Sequence, residues 1–541
     1  MAQGKLRKDA GLIGLLFAGL SSTIGSGWLF GPMKAAQIAG PLSIGSWAIA
    51  ALVVGLIAMV YAELGPLFPR SGGLMHISVI SHGRLVGRVW SWILFLAYVT
   101  IAPVEAMAVV TYANGYLPGM IDTLPGPHQG LLTGTGIVVS VCVLGAFVLL
   151  NFLILRFILL LNTVATWIKV CAPIGTILVL MFSAHHPENF KVAAHATGDV
   201  TNMFLAISTA GVFFSLFGFT QAIQLAGETK DPARNIPRAV VGTIVLSAII
   251  YIFVEYSFVA AVPPELLAKE GWAGLNFGSV SANPILASGP MVGLMLTLGV
   301  SWWAMALYAD AIISPTACGY IWTTATARVV MAASEEDYAP AKLREINRNG
   351  TPWTALILSF VIGCIFFFPF PSWQKLVNYA SSATVLSYGL GCVVLLRMRR
   401  VMPDLKRPFR LWTAWLIAPV AFICSNFVMY WAGFGTVNVL FMIITVIMGF
   451  YTLRHLHLYI SGKESDEDLQ HAWWLVPYFL GMWILSYFGP TEMGGTGTFG
   501  IFDGMFAVAV FSLIILYVAL ATGVAPARVK SYYAAVIKAD K

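Results

Sequence analysis

Charge is what this 541-residue chain has least of. Asp, Glu, Lys and Arg together make up 10% of it, while 58% is hydrophobic. So little charge excludes an ordinary soluble domain, whose surface needs roughly a quarter of its residues charged. The chain lacks a GxxxxGK[ST] loop to cradle ATP phosphates, which argues against a primary pump. It has only six cysteines (Cys142, Cys171, Cys318, Cys364, Cys392 and Cys424), all within apolar runs and without metal-ligand spacing. They read as free, small core residues rather than a disulfide framework or a metal site. No Ser/His/Asp or paired-carboxylate constellation suggests catalysis, so no enzyme activity and no cofactor are expected. The basic N-terminal stretch MAQGKLRKDA precedes an apolar run without a small-residue cleavage site, so no cleaved signal is expected.

What is present is a series of apolar runs, each about 20 residues, the length that crosses a bilayer core about 30 Å thick. Fourteen candidate spans follow: 11–33, 41–66, 89–117, 132–154, 157–183, 202–227, 237–261, 286–330, 352–370, 375–397, 411–431, 434–456, 472–489 and 502–523. The eighth exceeds one crossing and is expected to run on into the cytoplasm as a helix. An even count places both termini on one side. With the N-terminus inside, inner segments carry 26 of the 31 Lys and Arg. Outer loops carry Lys34, Lys191, Lys269 and Lys375, and Lys169 lies within a span. The inner clusters are KLRK at 5–8, Arg70 with Arg84 and Arg88, the 230–238 loop and the 397–410 loop. That asymmetry supports the orientation. It also explains the net charge of +7 without a nucleic-acid partner. The partners expected are lipid and a small-molecule substrate. With no large loop domain, function must lie between the helices, which argues for transport.

Two spans carry glycine where a helix gains nothing from it. The first reads LSSTIGSGWLFGP at 20–32, with Gly25, Ser26 and Gly27 near mid-depth. The sixth reads FLAISTAGVFFSLFGFTQAIQLAGETK, with Gly218 among Phe213, Phe214, Phe217 and Phe219. Close helix packing through small residues would explain either one alone. The pair, five spans apart and therefore opposite in direction, points to an inverted-repeat transporter with broken helices. A break exposes N–H groups at one half-helix end and carbonyls at the other. Those suit the carboxylate and ammonium of an α-amino acid. Ser22, Thr23, Gly25, Ser26, Gly27 and Trp28 from the first break, and Phe214, Ser215, Gly218, Phe219 and Thr220 from the second, are the candidate substrate residues. Ser26 and Gly27 are expected to offer backbone N–H groups to a carboxylate.

Ionisable residues inside spans are expensive and mark function. Lys169 lies twelve residues into the fifth span, about 18 Å along the axis, beyond the reach of snorkelling. Structural clamping and proton coupling are both open for it. Glu105 lies in the third span, with Tyr98 seven residues earlier on the same helical face. It reads as a buried packing carboxyl or as a pocket wall with a second proton site. Asp310, in the eighth span, is a partner for Lys169 or Glu105 or a proton carrier, with Ser314 and Thr316 further along. Glu255 is read as structural and near the outer surface, and Glu63 as satisfying groups at the inner gate. The GETKDPARNIPRA loop reads as a topology anchor with a turn. The adjacent His185 and His186 are given no role.

The segment STIGSGWLFGP resembles the first-helix signature of the amino acid–polyamine–organocation (APC) permeases. FGFTQAIQLAGETKDPARNIPRAV resembles their sixth-helix signature, and YAELGPLFPRSGG at 61–73 the end of their second helix. GSGWLF, YAELG, SHGRLVG, FPFPSW, AWWL and SYFG make the whole chain most similar to the branch named for aspartate–proton symporters. The resemblance implies an all-α, LeuT-type fold of five plus five helices with helices 1 and 6 broken. It implies a transport core over residues 1–400, followed by four further spans over 401–541. It also implies a secondary active amino acid transporter of the cytoplasmic membrane, driven by a proton gradient. Lys169 matches a fifth-helix lysine that, in proton-linked relatives, takes the place of an ion between helices 1 and 8. The usual GFE is here GFT, with Thr220 in the acidic position, and Trp28 replaces a small aliphatic residue. An amino acid or amine exchanger is the alternative, and a receptor or channel a more distant one. Aspartate lacks an evident cationic partner at mid-depth, so a neutral amino acid stays open.

Overall fold

A computed structural model describes residues 10–68, 72–122, 128–152, 155–194, 200–277, 289–347, 351–461 and 468–539. The basic stretch at 5–8 and Arg70 lie outside them. Among the described residues the regular structure is all helix, with no strand and two isolated bridges, Ala10–Thr229 and Ile121–Leu132. That is the expected solution in lipid, where a helix satisfies its own backbone polar groups.

Span 1 is two helices, α1 (Leu12–Thr23) and α2 (Gly27–Ala39), separated by a non-helical stretch. Span 2 is α3 (Ser43–Leu64), followed by a short α4 (Gly73–Val79). Span 3 is α5 (Gly83–Val99) and α6 (Ile101–Ala113), meeting at Thr100. Spans 4 and 5 are α7 (Gly134–Leu150) and α8 (Leu155–Ser183). Span 6 is α9 (Val200–Thr209), a 3-10 segment over Phe214–Thr220 and a single turn, α10 (Gln221–Gln224). Span 7 is α11 (Pro232–Ala261), followed by α12 (Pro264–Glu270). Span 8 is α13 (Pro290–Thr297) and the 35-residue α14 (Ser301–Glu335). Spans 9 to 12 are α15 (Trp353–Ile365), α16 (Trp373–Val401), α17 (Ala414–Trp431) and α18 (Phe434–Ile460). After α19 (Leu469–Ala472) come α20 (Leu475–Tyr487), α21 (Ile501–Thr522) and a terminal α22 (Pro526–Ala539).

Each of the fourteen expected spans contains helix, and three differ in detail. Span 8 is interrupted before its long helix: Gly299 sits at φ +75° between α13 and α14, a left-handed turn that glycine adopts without steric cost. Span 3 has a one-residue interruption at Thr100, which keeps right-handed helical dihedrals (φ −80°, ψ −21°), so Tyr98 and Glu105 lie on successive segments of one crossing over Gly83–Ala113. The chain in span 6 breaks earlier than Gly218. Gly211 takes φ +83°, and the two halves are inclined by 50°. Gly218 lies within the 3-10 segment, and its lack of a side chain serves packing instead.

Burial separates centre from periphery. In the most apolar stretch of span 3, 89% of residues are buried, and in α16 94%, against 28% in α18. α3 packs on α11, α14 on α6, and α16 on α5 and α17. Ile13, Phe182, Val446 and Phe506 point outward as the exposed apolar surface a lipid-facing shell requires.

At one end of the bundle, a buried carboxylate ties three elements together. Glu63, at the end of α3, accepts from Arg399 Nε at 3.0 Å, Arg399 Nη2 at 2.6 Å and the Leu411 N–H at 2.8 Å. Arg407 Nε lies 3.0 Å from its Oε1. Residues 228–230 pair with the start of α1 through Ala10 N–H to Glu228 O at 3.0 Å and Lys230 N–H to Ala10 O at 2.8 Å. Glu228 also pairs with Arg328 of α14 at 2.9 Å. The GETKDPARNIPRA loop is therefore the expected turn, with Asp231 at φ +45° and Pro232 opening α11, and in addition a brace between α1, span 6 and α14.

Candidate functional site

The backbone of span 1 leaves its helix at Ile24 and re-enters it at Gly27. A break of this kind frees carbonyls at the end of α1 and N–H groups at the start of α2. Side chains from five other spans meet this break. Lys169 of α8 donates to the Ser21 carbonyl and lies 3.3 Å from Ser21 Oγ. Trp322 of α14 donates its indole N–H to the Ser22 carbonyl at 3.0 Å, and Cys318 Sγ lies 3.3 Å from the same oxygen. Tyr251 of α11 donates to the Thr23 carbonyl at 2.9 Å. On the other side, Glu105 of α6 accepts the Ser26 N–H on Oε2 at 2.8 Å. Trp373 of α16 donates to Ser26 Oγ at 2.9 Å.

The second break is pressed against the first. Ser22 Oγ donates to the Gly218 carbonyl at 2.9 Å. A Cβ on Gly218 would stand 2.5 Å from Thr23 N and 2.7 Å from Ser22 C, so only glycine fits. Gly27 meets Ser215 Oγ just as closely, and Ser215 Oγ donates back to the Gly211 carbonyl at 2.7 Å. Aromatic rings wall the contact on one side. Phe30 stacks on Trp373 with centroids 4.7 Å apart, and Phe214 packs edge-on against Phe217 at 5.2 Å. Phe217 in turn meets Trp322 at 5.5 Å.

The expected residues fall into two groups. Ser22, Thr23, Gly25, Ser26, Gly27, Ser215, Gly218, Glu105 and Lys169 converge on the break, with Phe214 in the aromatic wall. Trp28 and Asp310 stand beside them: Asp310 accepts from Ser314 Oγ at 2.6 Å, with the Trp28 indole next to it. The Lys169 ammonium acts electrostatically on both Glu105 and Asp310. Tyr98, Phe219 and Thr220 belong to a second cluster. There the Tyr98 hydroxyl accepts from Gln224 Nε2 at 3.2 Å, and Tyr98 meets Trp322 edge-on at 4.8 Å. Tyr388 Oη lies 3.5 Å from Thr220 Oγ1, and Tyr61 donates to the Tyr388 carbonyl at 3.1 Å. A void of about 10 Å³, room for one water, lies against Tyr61, Ser387 and Tyr388. The cluster offers hydroxyls and an amide but no charge.

Several readings need correction. The Ser26 N–H, read as a donor to a substrate carboxylate, here donates to the protein's own Glu105. Glu255 agrees with its structural reading: near the end of α11, it is fully buried and accepts the Trp47 indole at 2.8 Å. Cys142 and Cys171 are exposed on the helix surfaces, and Cys318 lies at the break rather than in inert packing. Sequence reasoning missed Trp322, Trp373, Tyr251, Cys318 and Gln224. Each stands in an apolar run where periodicity gives no sign of which face meets a break. Among the described residues no cluster of metal-ligating side chains occurs.

A family profile described as amino acid permease matches residues 11–438. The chain belongs to the amino acid permease family. It is an integral membrane protein of the APC superfamily, and the fold is consistent with the LeuT type. The permease is 34% identical over 523 residues to a glutamate/serine transporter, AimA, of Bacillus subtilis, covering 96% of this chain and 94% of that protein. It is 34% identical over 531 residues to the aspartate-proton symporter of the same organism, covering 97% and 99%. The human large neutral amino acids transporter small subunit 2 is more distant, 24% identical over 414 residues, with coverages of 75% and 72%.

Proposed function

We propose that the permease is a proton-coupled symporter that imports small polar or acidic amino acids across the cell membrane, with both termini cytoplasmic. It is a carrier rather than an enzyme, and the proton gradient is its energy source, with no cofactor. Residues 1–400 form the transport core, and residues 401–541 add four spans around it. The observation that carries this reading is Lys169, a buried ammonium bonded to the end of α1 and acting on two buried carboxylates, Glu105 and Asp310. Proton-exchanging groups thus sit on the backbone element whose movement would open the site. The 34% identity to an aspartate-proton symporter supports the coupling. The hydroxyl-rich cluster of Tyr98, Thr220, Gln224 and Tyr388 suits a short polar or carboxylate side chain and leaves little room for a large one.

Symport is favoured over obligatory exchange by the same geometry. Ser21 O, Ser22 O and Ser26 N–H are each bonded by the protein's own side chains. The carrier therefore has a self-satisfied arrangement for its return step and needs no counter-substrate. The test is uptake of labelled serine, aspartate and glutamate into proteoliposomes under an imposed inward proton gradient. Uptake that ignores the gradient, or that requires preloaded amino acid, refutes symport. Lys169→Ala is expected to abolish gradient-driven uptake, and unchanged driven uptake removes Lys169 from the mechanism.

A further inference from the structure

The carboxylate that occupies the first break belongs to α6. Glu105 Oε2 accepts the Ser26 N–H at 2.8 Å, and Glu105 is fully buried. Its other oxygen is packed against Gly25, where a Cβ would stand 2.5 Å away. Cys318 Sγ would lie 2.8 Å from that same position, so Glu105 is wedged between the broken backbone and α14. Among the described residues Glu105 Oε1 accepts no full hydrogen bond, with only the Cys318 thiol, a weak donor, beside it. A buried carboxylate with one strong bond and one unsatisfied oxygen is incompletely compensated. The titratable and charged groups around it are Lys169 of α8, Cys318 of α14 and Tyr251 of α11, with Asp310 of α14 reached through Lys169.

An amino acid that enters this site brings its own carboxylate, and the Ser26 N–H has one hydrogen to give. Two carboxylates at one donor in a low-dielectric site repel, and like charges that close cannot both stay ionised at low cost. We propose that Glu105 is a built-in competitor for the substrate's α-carboxylate. The two contend for the Ser26 N–H, and a proton delivered to Glu105 releases it. The proton passes from solvent to a Glu105 carboxylate oxygen. The Glu105–Ser26 hydrogen bond breaks, and a substrate–Ser26 bond forms in its place. Each amino acid that binds then carries about one proton with it, so the site itself ties the two cargoes together. Lys169 keeps its bond to Ser21 through this exchange and is left to govern the position of α1.

This inference rests on the amino acid reading above, and the experiment separates their failures. Binding of L-serine and L-aspartate to the purified full-length permease is measured by calorimetry between pH 5.5 and 8, with no gradient present. In the wild-type protein the dissociation constant is expected to rise with pH, approaching tenfold per unit where one proton is linked to binding. In Glu105→Gln, which keeps the shape and loses the charge, it is expected to be flat and to lie below the wild-type value at pH 8. In weakly buffered solution the wild-type protein should take up about one proton per amino acid bound, a measurement that needs no variant. A flat wild-type profile without proton uptake overturns the proposal. So does a Glu105→Gln protein that keeps the wild-type slope, which would assign the proton to Lys169 or Asp310. If neither amino acid binds the wild-type protein at any pH, it is the substrate reading that fails.

Discussion

Replacing Gly218 with alanine adds one methyl group at the place where the two broken spans touch. Gly218 is not in the left-handed region of backbone space, so alanine carries no conformational penalty there and the whole effect comes from contact. The new Cβ would lie 2.5 Å from Thr23 N and 2.7 Å from Ser22 C, both backbone atoms that cannot rotate away. Restoring ordinary contact requires α1 and the 3-10 segment to part by about 1 Å, at an overpacking cost of about 1–3 kcal/mol. The same displacement stretches the 2.9 Å bond from Ser22 Oγ to the Gly218 carbonyl beyond hydrogen-bonding range, which adds about 1 kcal/mol. Together, about 2–4 kcal/mol at ~1.4 kcal/mol per decade is a loss of roughly thirtyfold to several hundredfold in the closed, binding-competent population. Gly14→Ala is the internal control. It lies on the same α1, nothing stands within 4 Å of its Cβ, and it should stabilise the helix by roughly 0.5–1 kcal/mol. The assay is amino acid affinity of the two purified variants, with monodispersity in detergent as the check on folding. If Gly218→Ala folds and binds within threefold of wild type, the two breaks do not form one site and the cradle argument falls.

Two further outcomes concern the packing around the site. Glu63→Gln should lower the thermal unfolding midpoint and the folded yield. It removes the counter-charge of Arg399 and Arg407, a loss of about 3–5 kcal/mol for a fully buried pair. The lower end applies because Arg399 is 20% exposed, and an unchanged midpoint would show that the cluster is solvated. His82, just ahead of the third span, accepts from Ser81 and donates to the Ala519 carbonyl at 2.7 Å. Burial first, and then the nearby charges of Arg397 and His471, push it from 6.5 down to about 4 against the opposing Ala519 bond. The unfolded chain therefore binds this proton before the folded one does. Stability present above pH 6.5 is lost as pH falls towards 4, by about 2–3 kcal/mol across the window. Unfolding midpoints of wild type and His82→Gln across that window test this, and parallel acid profiles refute it.

The break in span 1 was legible because Gly25, Ser26 and Gly27 fall together at mid-depth, and the chain leaves its helix there. Apolar run length located the helices, and among the described residues eight of them, or nine with the bent pair of span 6, are long and apolar enough to cross a membrane. Span 6 was read with the right residues and the wrong bend. A glycine in sequence does not say whether it supplies a left-handed turn, as Gly211 does, or a contact too close for a Cβ, as Gly218 does. Lys169 announced itself, because a lysine that deep must find a partner, and Ser21 is that partner. Its cohort at the break did not. Trp322, Trp373 and Tyr251 are ordinary members of apolar runs until three-dimensional packing shows which carbonyl or hydroxyl each one meets.

The position of the acid is the step that joins these readings. By its resemblance to the APC permeases, the sixth span should carry a carboxylate where this chain has Thr220. Thr220 instead donates to the Phe217 carbonyl at 3.2 Å, within the uncharged cluster of Tyr98 and Tyr388. The carboxylate nearest the substrate cradle is Glu105, on a different span and bonded to the other break. An acid at 220 would act on the second half-site from below. An acid at 105 acts on the N–H donor of the first. Losing one and using the other changes which group of the amino acid the proton competes with. It would leave the proposed side-chain pocket without a negative charge that would repel an acidic substrate. It leaves one at the α-carboxylate donor, which every amino acid shares. Coupling in this permease would then be blind to the side chain. Selectivity would rest on the hydroxyls around Thr220, which can serve serine and aspartate alike.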